Sequence, residues 1–113
     1  IMKRGEIYFA VLNPTVGSEI QKTRPVLIIS NDIANKYSEL VTIIPITSQV
    51  KKIYNFEVFL DKRKSGLLKD SKASCHQIRT ISKLRIDKKK VGVINDTLIS
   101  KVEASLLLHL GIK

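Results

Sequence analysis

The stretch KTRPVLIIS, residues 22–30, places an arginine directly before a proline and four consecutive apolar residues. Pro25 keeps the preceding residue out of helical geometry, so Arg24 is held extended. The run from Val26 to Ile29 is typical of a short strand that is buried on both faces. The stretch therefore predicts a core strand with a cation at its mouth. That cation is either a solvated strand start or an anchored ligand for an anion.

Further short strand-like segments, rich in β-branched and aromatic residues and separated by turns, lie on either side of this stretch. A proline at position 45 favours a strand edge or end for its segment. The predicted strands are residues 5–13, 24–30, 40–46, 54–60, 72–78 and 89–94.

The connections between these strands are polar and differ in length. Residues 14–23 form a predicted loop longer than the usual connection of about 4–6 residues, and such loops are often functional. Residues 47–53 form a second polar loop, and residues 61–66 a turn. Residues 31–39 predict a turn or short helix, and residues 82–86 one helical turn that Ser82 caps.

The pattern changes from Asn95 onward, where apolar residues recur at steps of three and four. Asn95 or Asp96 is placed to cap the start of a helix, and Gly111 stands where a C-terminal cap belongs. We expect this helix to pack on the sheet. A single mostly β (α+β) domain over residues 1–113, barrel-like with one terminal helix, is the predicted architecture. The predicted buried stripe is Leu98, Ile99, Val102, Leu106 and Leu110.

The charge of the chain is strongly positive. Lysine and arginine number 20 and the acidic residues 10, a net charge of +10. Any one basic cluster is by itself typical of a solvated turn. The total favours a polyanionic partner, because binding phosphates releases their counterions.

Other classes of protein are disfavoured by composition. No apolar stretch approaches the roughly 18 residues of a membrane span, and no signal-peptide core opens the chain. One cysteine, Cys75, excludes an internal disulfide and fits a reducing cytoplasm. With only His76 and His109 beside it, a structural zinc site is disfavoured.

Four segments, in this order and spacing, resemble the MazF/PemK family of toxin endoribonucleases from type II toxin–antitoxin systems. They are RGEIYFAVLNPTVGSE, TRPVLIISND, IPITSQ and HQIRTI, at residues 4–19, 23–32, 44–49 and 76–81. The resemblance implies a small SH3-like β-barrel with a C-terminal helix, acting as a homodimer. It further implies sequence-selective cleavage of single-stranded mRNA without metal or cofactor, which inhibits translation. A cognate antitoxin would block the RNA groove with an acidic C-terminal segment.

The resemblance also implies which residues act. The family's arginine in the Arg-Pro motif falls on Arg24, and its threonine in Ile-Thr-Ser falls on Thr47. Many members carry an acidic residue where this chain has His76. Taken without the resemblance, Arg24 is a solvated strand start, Thr47 a turn residue and His76 a core or edge histidine.

These residue types suit the chemistry of RNA cleavage. RNA supplies its own nucleophile, the 2′-hydroxyl, so the protein must position it, stabilise charge and move protons. The guanidinium of Arg24 is planar, always charged and matches phosphate oxygens, but it is a poor base. Acting as acid to the leaving 5′-oxygen is the easier role for it. Histidine titrates near neutral pH, which makes His76 a candidate catalytic base.

Further residues are predicted to contact RNA. They come from the loop beside the site, from the Ile-Thr-Ser segment and the polar loop after it, and from the Gln-Ile-Arg segment. Many family members carry a glycine pair where this chain has Gln21 and Lys22, so the loop here is expected to be stiffer or more basic. The predicted RNA-binding residues are Ser18, Glu19, Gln21, Lys22, Thr23, Ser48, Gln49, Lys51, Lys52, Tyr54, Gln77 and Arg79.

Two alternatives remain open at the level of sequence. One is a toxin of similar fold that poisons DNA gyrase and cuts no RNA, although the TRPV and ITSQ segments favour the nuclease branch. The other is a non-catalytic module that binds RNA through the same basic surface.

Overall fold

The computed structural model describes all residues, 1–113, and shows a curled antiparallel sheet with a helix at its C-terminal end. The strands are β1 (Glu6–Val11), β2 (Thr23–Ile28), β3 (Leu40–Thr47), β4 (Glu57–Leu60), β5 (Ser71–Ser74), β6 (Arg79–Ser82) and β7 (Gly92–Val93). The helices are α1 (Asp32–Tyr37), α2 (Lys62–Ser65) and α3 (Asp96–Leu110), and two 3₁₀ turns cover Cys75–Gln77 and Lys83–Arg85. The mostly β fold with a C-terminal helix is confirmed.

The central strand of the sheet is β3, which pairs with three others. The order along the sheet is β4-β5-β3-β2-β1-β7, and β6 also pairs with β3. On one edge of β3 the partner changes from β6, where Ile43 faces Arg79, to β5, where Ile46 faces Ala73. Between these two pairs lie only residues 44 and 45 on β3, but residues 74–78 on the other chain segment. The surplus is taken up by the 3₁₀ turn Cys75–Gln77, and the sheet curls there.

This exchange of partners corrects two predictions and adds one strand. Residues 72–78 do not form one strand, because the chain must turn at Cys75–Gln77 to pass from β5 to β6, and β6 was not predicted. Pro45 lies inside the central strand rather than at an edge or end. On the edge of β3 that pairs with β6 and β5, residues 44 and 45 have no partner, so the amide hydrogen that proline lacks is not needed there.

The remaining elements mostly follow their predicted positions. The short helix α1 is capped by the side chain of Asn31, and Ser82 caps the 3₁₀ turn after β6. The predicted turn at residues 61–66 contains the short helix α2, capped by Asp61. The predicted final strand, residues 89–94, is reduced to β7, because residues 85–91 run alongside β1 with only single hydrogen bonds to it.

Apolar side chains form two clusters, one on each face of the curled sheet. The larger holds Ile44, Leu60 and the α3 residues Leu98 and Val102, and the smaller holds Val26 with the other inner residues of β1 and β3. Asn95 caps α3 at its start and Gly111 at its end, as predicted. The stripe, however, ends at Leu106. Leu110 is exposed, because α3 extends beyond the sheet that it packs on.

Candidate active site

The pairing of β2 with β3 brings two predicted catalytic residues together. Val26 faces Pro45 and Leu27 faces Ile44 in this antiparallel ladder. Continuing the same register by two residues puts Arg24 opposite Thr47, at the ends of their strands. Both residues, with Ser48, border one cleft of about 250 Å³. Arg24 and Thr47 are 23 residues apart in sequence, and the sheet makes them neighbours.

Arg24 has few partners within the protein. Its Nε donates to the backbone oxygen of Gln21 at 3.1 Å, and it belongs to none of the four ion pairs in the structure. Thr47 Oγ1 accepts a hydrogen bond from the amide of Gln49 at 3.2 Å and keeps its own hydrogen to donate. A guanidinium without a carboxylate partner, beside a free hydroxyl donor, is suited to binding a phosphate.

A second cavity of about 510 Å³ lies on the other side of Pro45. Pro45 precedes Thr47 by two residues on β3, so both point to the same face of the sheet. The second cavity therefore lies on the face to which Thr47 points, whereas Phe9, Pro25 and Ile46 of the first cleft point to the opposite face. The predicted site residues that line the second cavity are Ser18, Glu19, His76, Gln77 and Arg79.

Gln77 and Arg79 are already engaged in holding the long loop between β1 and β2. Gln77 Oε1 accepts from the amide of Ile20 at 2.7 Å, and Arg79 donates to the backbone oxygen of Leu12 at 3.1 Å. Lys22 in this loop has φ of +70°, the left-handed conformation that glycine adopts without strain. The backbone at Lys22 therefore has a conformation that suits glycine better than lysine.

His76 lies in the 3₁₀ turn, against the ring of Phe56 at 4.3 Å between centroids and 5.9 Å from the ring of His109. Its Nδ1 is buried and has no hydrogen-bond partner. Burial lowers the pKa of His76; the nearby His109 and Lys72 lower it further, and Glu57 partly opposes them. A neutral imidazole near pH 7 is the form that can accept a proton.

We expect the free energy of unfolding to fall as the pH is lowered from about 7 to about 5, and to fall less in His76→Gln. Because the folded pKa of His76 lies below its ordinary value, the unfolded chain takes up this proton first. The stability that the neutral imidazole contributes is therefore fully present above the ordinary pKa of histidine. It is lost as the pH falls through the lower pKa that His76 has in the folded protein. Urea midpoints at three pH values test this. An equally steep fall in His76→Gln would assign the dependence to other groups.

The loop after Thr47 carries the remaining predicted contacts. Lys52 Nζ lies 4.8 Å from the centroid of the Tyr54 ring, and that ring stacks on Phe56 with centroids 5.2 Å apart. Because Phe56 also contacts His76, a row of rings leads from Lys52 to the second cavity. Lys51, Ser48 and Gln49 are exposed beside it.

Sequence reasoning missed two features of this region. The first is the apolar wall of the Arg24 cleft, which includes Phe9 and Leu68; the pair Leu67-Leu68 in a basic turn was the available signal. The second is a buried ion pair between Lys72 and Glu57, with nitrogen and oxygen 3.0 Å apart. Nothing in the local sequence around Lys72 signals its burial.

Two general features of the structure bear on the function. No three His, Cys, Asp or Glu residues are grouped so that they could hold a metal ion. None of the helices combines the length and apolarity needed to cross a membrane.

Comparison with known proteins identifies relatives along the whole chain. It is 40% identical to Endoribonuclease EndoA of Bacillus subtilis over 113 residues, covering 99% of this chain and 97% of the relative. It is 35% identical to Endoribonuclease MazF9 of Mycobacterium tuberculosis over 117 residues, covering 99% and 98%. Both names agree with the enzyme class predicted from the sequence.

Solved structures confirm the fold. MazF from Deinococcus radiodurans superimposes with a TM-score of 0.84 at 22% identity, covering 98% of this chain and 97% of that one. A mycobacterial endoribonuclease in complex with its cognate antitoxin gives a TM-score of 0.82 at 19% identity, covering 100% and 98%.

The family match completes the comparison. Residues 3–110 match the family described as PemK-like, MazF-like toxin of type II toxin-antitoxin system. This match spans all four segments that carried the resemblance and both strands that bear Arg24 and Thr47. The chain belongs to the PemK-like, MazF-like family of toxins of type II toxin–antitoxin systems.

Proposed function

We propose that this protein is a sequence-selective endoribonuclease that cuts single-stranded mRNA without a metal ion, by attack of the RNA's own 2′-hydroxyl. The observation that carries the proposal is the pairing of Arg24, which has no carboxylate partner, with Thr47 at the mouth of one cleft. The net charge of +10 provides the long-range attraction for RNA.

Each candidate catalytic residue has a separate role in the proposed reaction. Arg24 and the hydroxyls of Thr47 and Ser48 bind the phosphate and stabilise the charge that develops on it. The 2′-oxygen bonds to phosphorus and gives its proton to His76, while the bond to the 5′-oxygen breaks. The products are a 2′,3′-cyclic phosphate and a 5′-hydroxyl, whose proton comes from Arg24 or from water.

The proposal extends to the partners of the toxin. We propose that it is a cytoplasmic protein with one toxin domain, residues 1–113, and that it forms a homodimer. Its second partner is an antitoxin that binds it through an acidic C-terminal segment. Charge complementarity with the net charge of +10 supports the antitoxin. An exposed apolar surface at the end of α3 supports the homodimer. That surface consists of Leu107, Leu108, Leu110 and Ile112.

The test is cleavage of a long single-stranded RNA by the purified, antitoxin-free protein in excess EDTA, with the ends of the fragments mapped. We expect discrete cuts that share a short sequence and leave 5′-hydroxyl ends. Cuts that appear only when a divalent metal is restored would contradict metal independence. Intact RNA after incubation with folded protein would contradict nuclease activity. A DNA gyrase supercoiling assay and a salt-dependent RNA-binding assay would then distinguish a gyrase-poisoning toxin from a non-catalytic RNA-binding module.

A further inference from the structure

The curled sheet has a second end, at the start of β3, which takes no part in the proposed reaction. Thr47 is the last residue of β3 and Leu40 the first, so these two ends lie about 23 Å apart along the strand. At the far end, α1 and the 3₁₀ turn Lys83–Arg85 flank β3. The amide of Lys83 donates to the backbone oxygen of Glu39, directly before the strand.

Two cavities meet at this far end, and together we call them the Lys83 groove. One has a volume of about 270 Å³ and the other of about 410 Å³, and Lys36 and Lys83 line both. The side chain of Lys83 donates to the backbone oxygen of Asn35 and so ties the 3₁₀ turn to α1. The lining of the groove also includes Tyr37, Ser38, Ser82 and Lys88.

The Lys83 groove carries positive charge that the protein itself does not neutralise. Lys36, Lys83 and Lys88 take part in none of the four ion pairs of the structure. Only one carboxylate, that of Glu39, lines the groove against these three lysines. A surplus of unpaired lysine charge on one surface attracts a polyanion.

The other groups of the groove fit a nucleic acid better than an acidic peptide. Tyr37 is 76% exposed, and Lys36 Nζ lies 5.3 Å from the centroid of its ring. Proteins stack unpaired bases on exposed rings that lie beside cations. The hydroxyls of Ser38 and Ser82 each accept from a nearby backbone amide and keep their own hydrogens to donate to phosphate oxygens.

We propose that the Lys83 groove is a second RNA-binding surface, which holds a single-stranded segment of the substrate several nucleotides away from the cut. The proposal rests on the proposed function for the identity of the polyanion, and adds a surface remote from the reacting phosphate. The lysines hold the RNA backbone and Tyr37 stacks on one base. Neither contact reads sequence, so the groove raises the affinity for long RNA and leaves the choice of the cut to the other end of the sheet.

The experiment compares the binding of a long and a short RNA, at several salt concentrations and in excess EDTA. The probes have about 30 and about 5 nucleotides, and both are centred on the most rapidly cut site, with 2′-deoxyribose at the cut nucleotide to prevent reaction. The short probe extends two nucleotides to either side of the cut, which is too few to reach the groove at about 3.4 Å per stacked nucleotide.

The variants are chosen to leave the fold intact. Lys36→Gln/Lys88→Gln changes two exposed lysines whose side chains make no ion pair, and Tyr37→Leu removes the exposed ring. The matched controls are Lys62→Gln/Lys64→Gln, which removes the same charge from the exposed face of α2, and Tyr37→Phe, which keeps the ring.

We expect Lys36→Gln/Lys88→Gln to flatten the dependence of the logarithm of long-RNA affinity on the logarithm of salt concentration by about 1.4, since each phosphate contact on a single strand contributes about 0.7. Tyr37→Leu should bind the long RNA about tenfold more weakly, the loss expected for one stacked base. Both controls should match wild type with the long RNA. All variants should bind the short RNA as wild type does.

Two results would overturn the Lys83 groove as an RNA-binding surface. One is a wild-type salt dependence of long-RNA binding in Lys36→Gln/Lys88→Gln, and the other is an equal loss of affinity for the short RNA. Unchanged RNA binding together with weakened antitoxin binding would overturn it as well, and would assign the groove to an acidic segment of the antitoxin. If wild type cuts no RNA, the proposed function fails by that result alone. The two probes are then built on the RNA bound most tightly, and their salt dependence still tests the groove.

Discussion

Replacing Arg24 with alanine is expected to slow RNA cleavage about 10²–10³-fold, because the variant loses a charged donor that stabilises the transition state. The fold should survive, since the Arg24 side chain makes one hydrogen bond within the protein, to Gln21, and no ion pair. Losing that bond should change the free energy of unfolding by about 1 kcal/mol or less. The measurement is the single-turnover cleavage rate of a defined RNA, with circular dichroism to confirm folding.

Two further variants sharpen this result. Arg63→Ala removes an arginine whose side chain is 81% exposed and which pairs only with Asp61, outside the cleft, so its cleavage rate should match wild type. Arg24→Lys keeps the charge without the planar fork, and its rate should lie between those of Arg24→Ala and wild type. A folded Arg24→Ala that cleaves at the wild-type rate would remove Arg24 from the reaction.

Glu57→Gln is expected to destabilise the protein by about 3–5 kcal/mol, because it leaves the charge of Lys72 buried without its partner. The side chains of Lys72 and Glu57 are only 11% and 6% exposed. Glu57 also accepts from the amide of Tyr54 at 3.0 Å, and Lys72 donates to the backbone oxygen of Lys52 at 2.8 Å. A loss of this size is a large part of the stability of a small domain. Urea denaturation of the purified variant measures it.

The matched control is Glu103→Gln, which breaks the exposed ion pair between Arg4 and Glu103. The side chains of Arg4 and Glu103 are 32% and 47% exposed. Removing such an exposed pair should therefore lower the free energy of unfolding by about 1 kcal/mol or less. Replacing both buried partners, in Glu57→Gln combined with Lys72→Met, should recover part of the lost stability, since no unpaired charge remains. Equal effects of Glu57→Gln and Glu103→Gln would show that the buried pair is not structurally important.

The ion pair between Lys72 and Glu57 also involves residues next to the candidate active site. Lys72 lies opposite Thr47 in the ladder between β3 and β5. Glu57 is also among the charges that act on His76. The cleavage rate of Glu57→Gln, measured at a temperature where the variant is folded, would therefore show whether the ion pair also positions Thr47 and His76.

Local chemistry explains what could be predicted from the sequence. The apolar run after Pro25, the period of α3 and the caps at Asn95, Ser82 and Gly111 each act within a few residues, so their elements were predicted without the fold. Likewise, four motifs in order identified the family, because a motif preserves residue types at fixed spacing, and they made Arg24 and Thr47 the candidate catalytic residues.

The tertiary structure decided what depends on contacts between distant segments. The exchange of β3 partners ended one predicted strand at Ser74 and placed Pro45 inside the sheet. The length of α3 beyond the sheet left Leu110 exposed, and packing buried Lys72 among residues far away in sequence. The cleft bordered by Arg24 and Thr47 likewise exists only where β1, β2, β3 and the turn before β5 meet. By itself, the sequence determined the C-terminal helix, the core strands and the family of this toxin. Which side chains meet in its clefts was decided by strand register, since a partner in a ladder is chosen by the pairing of whole strands and not by neighbouring residues.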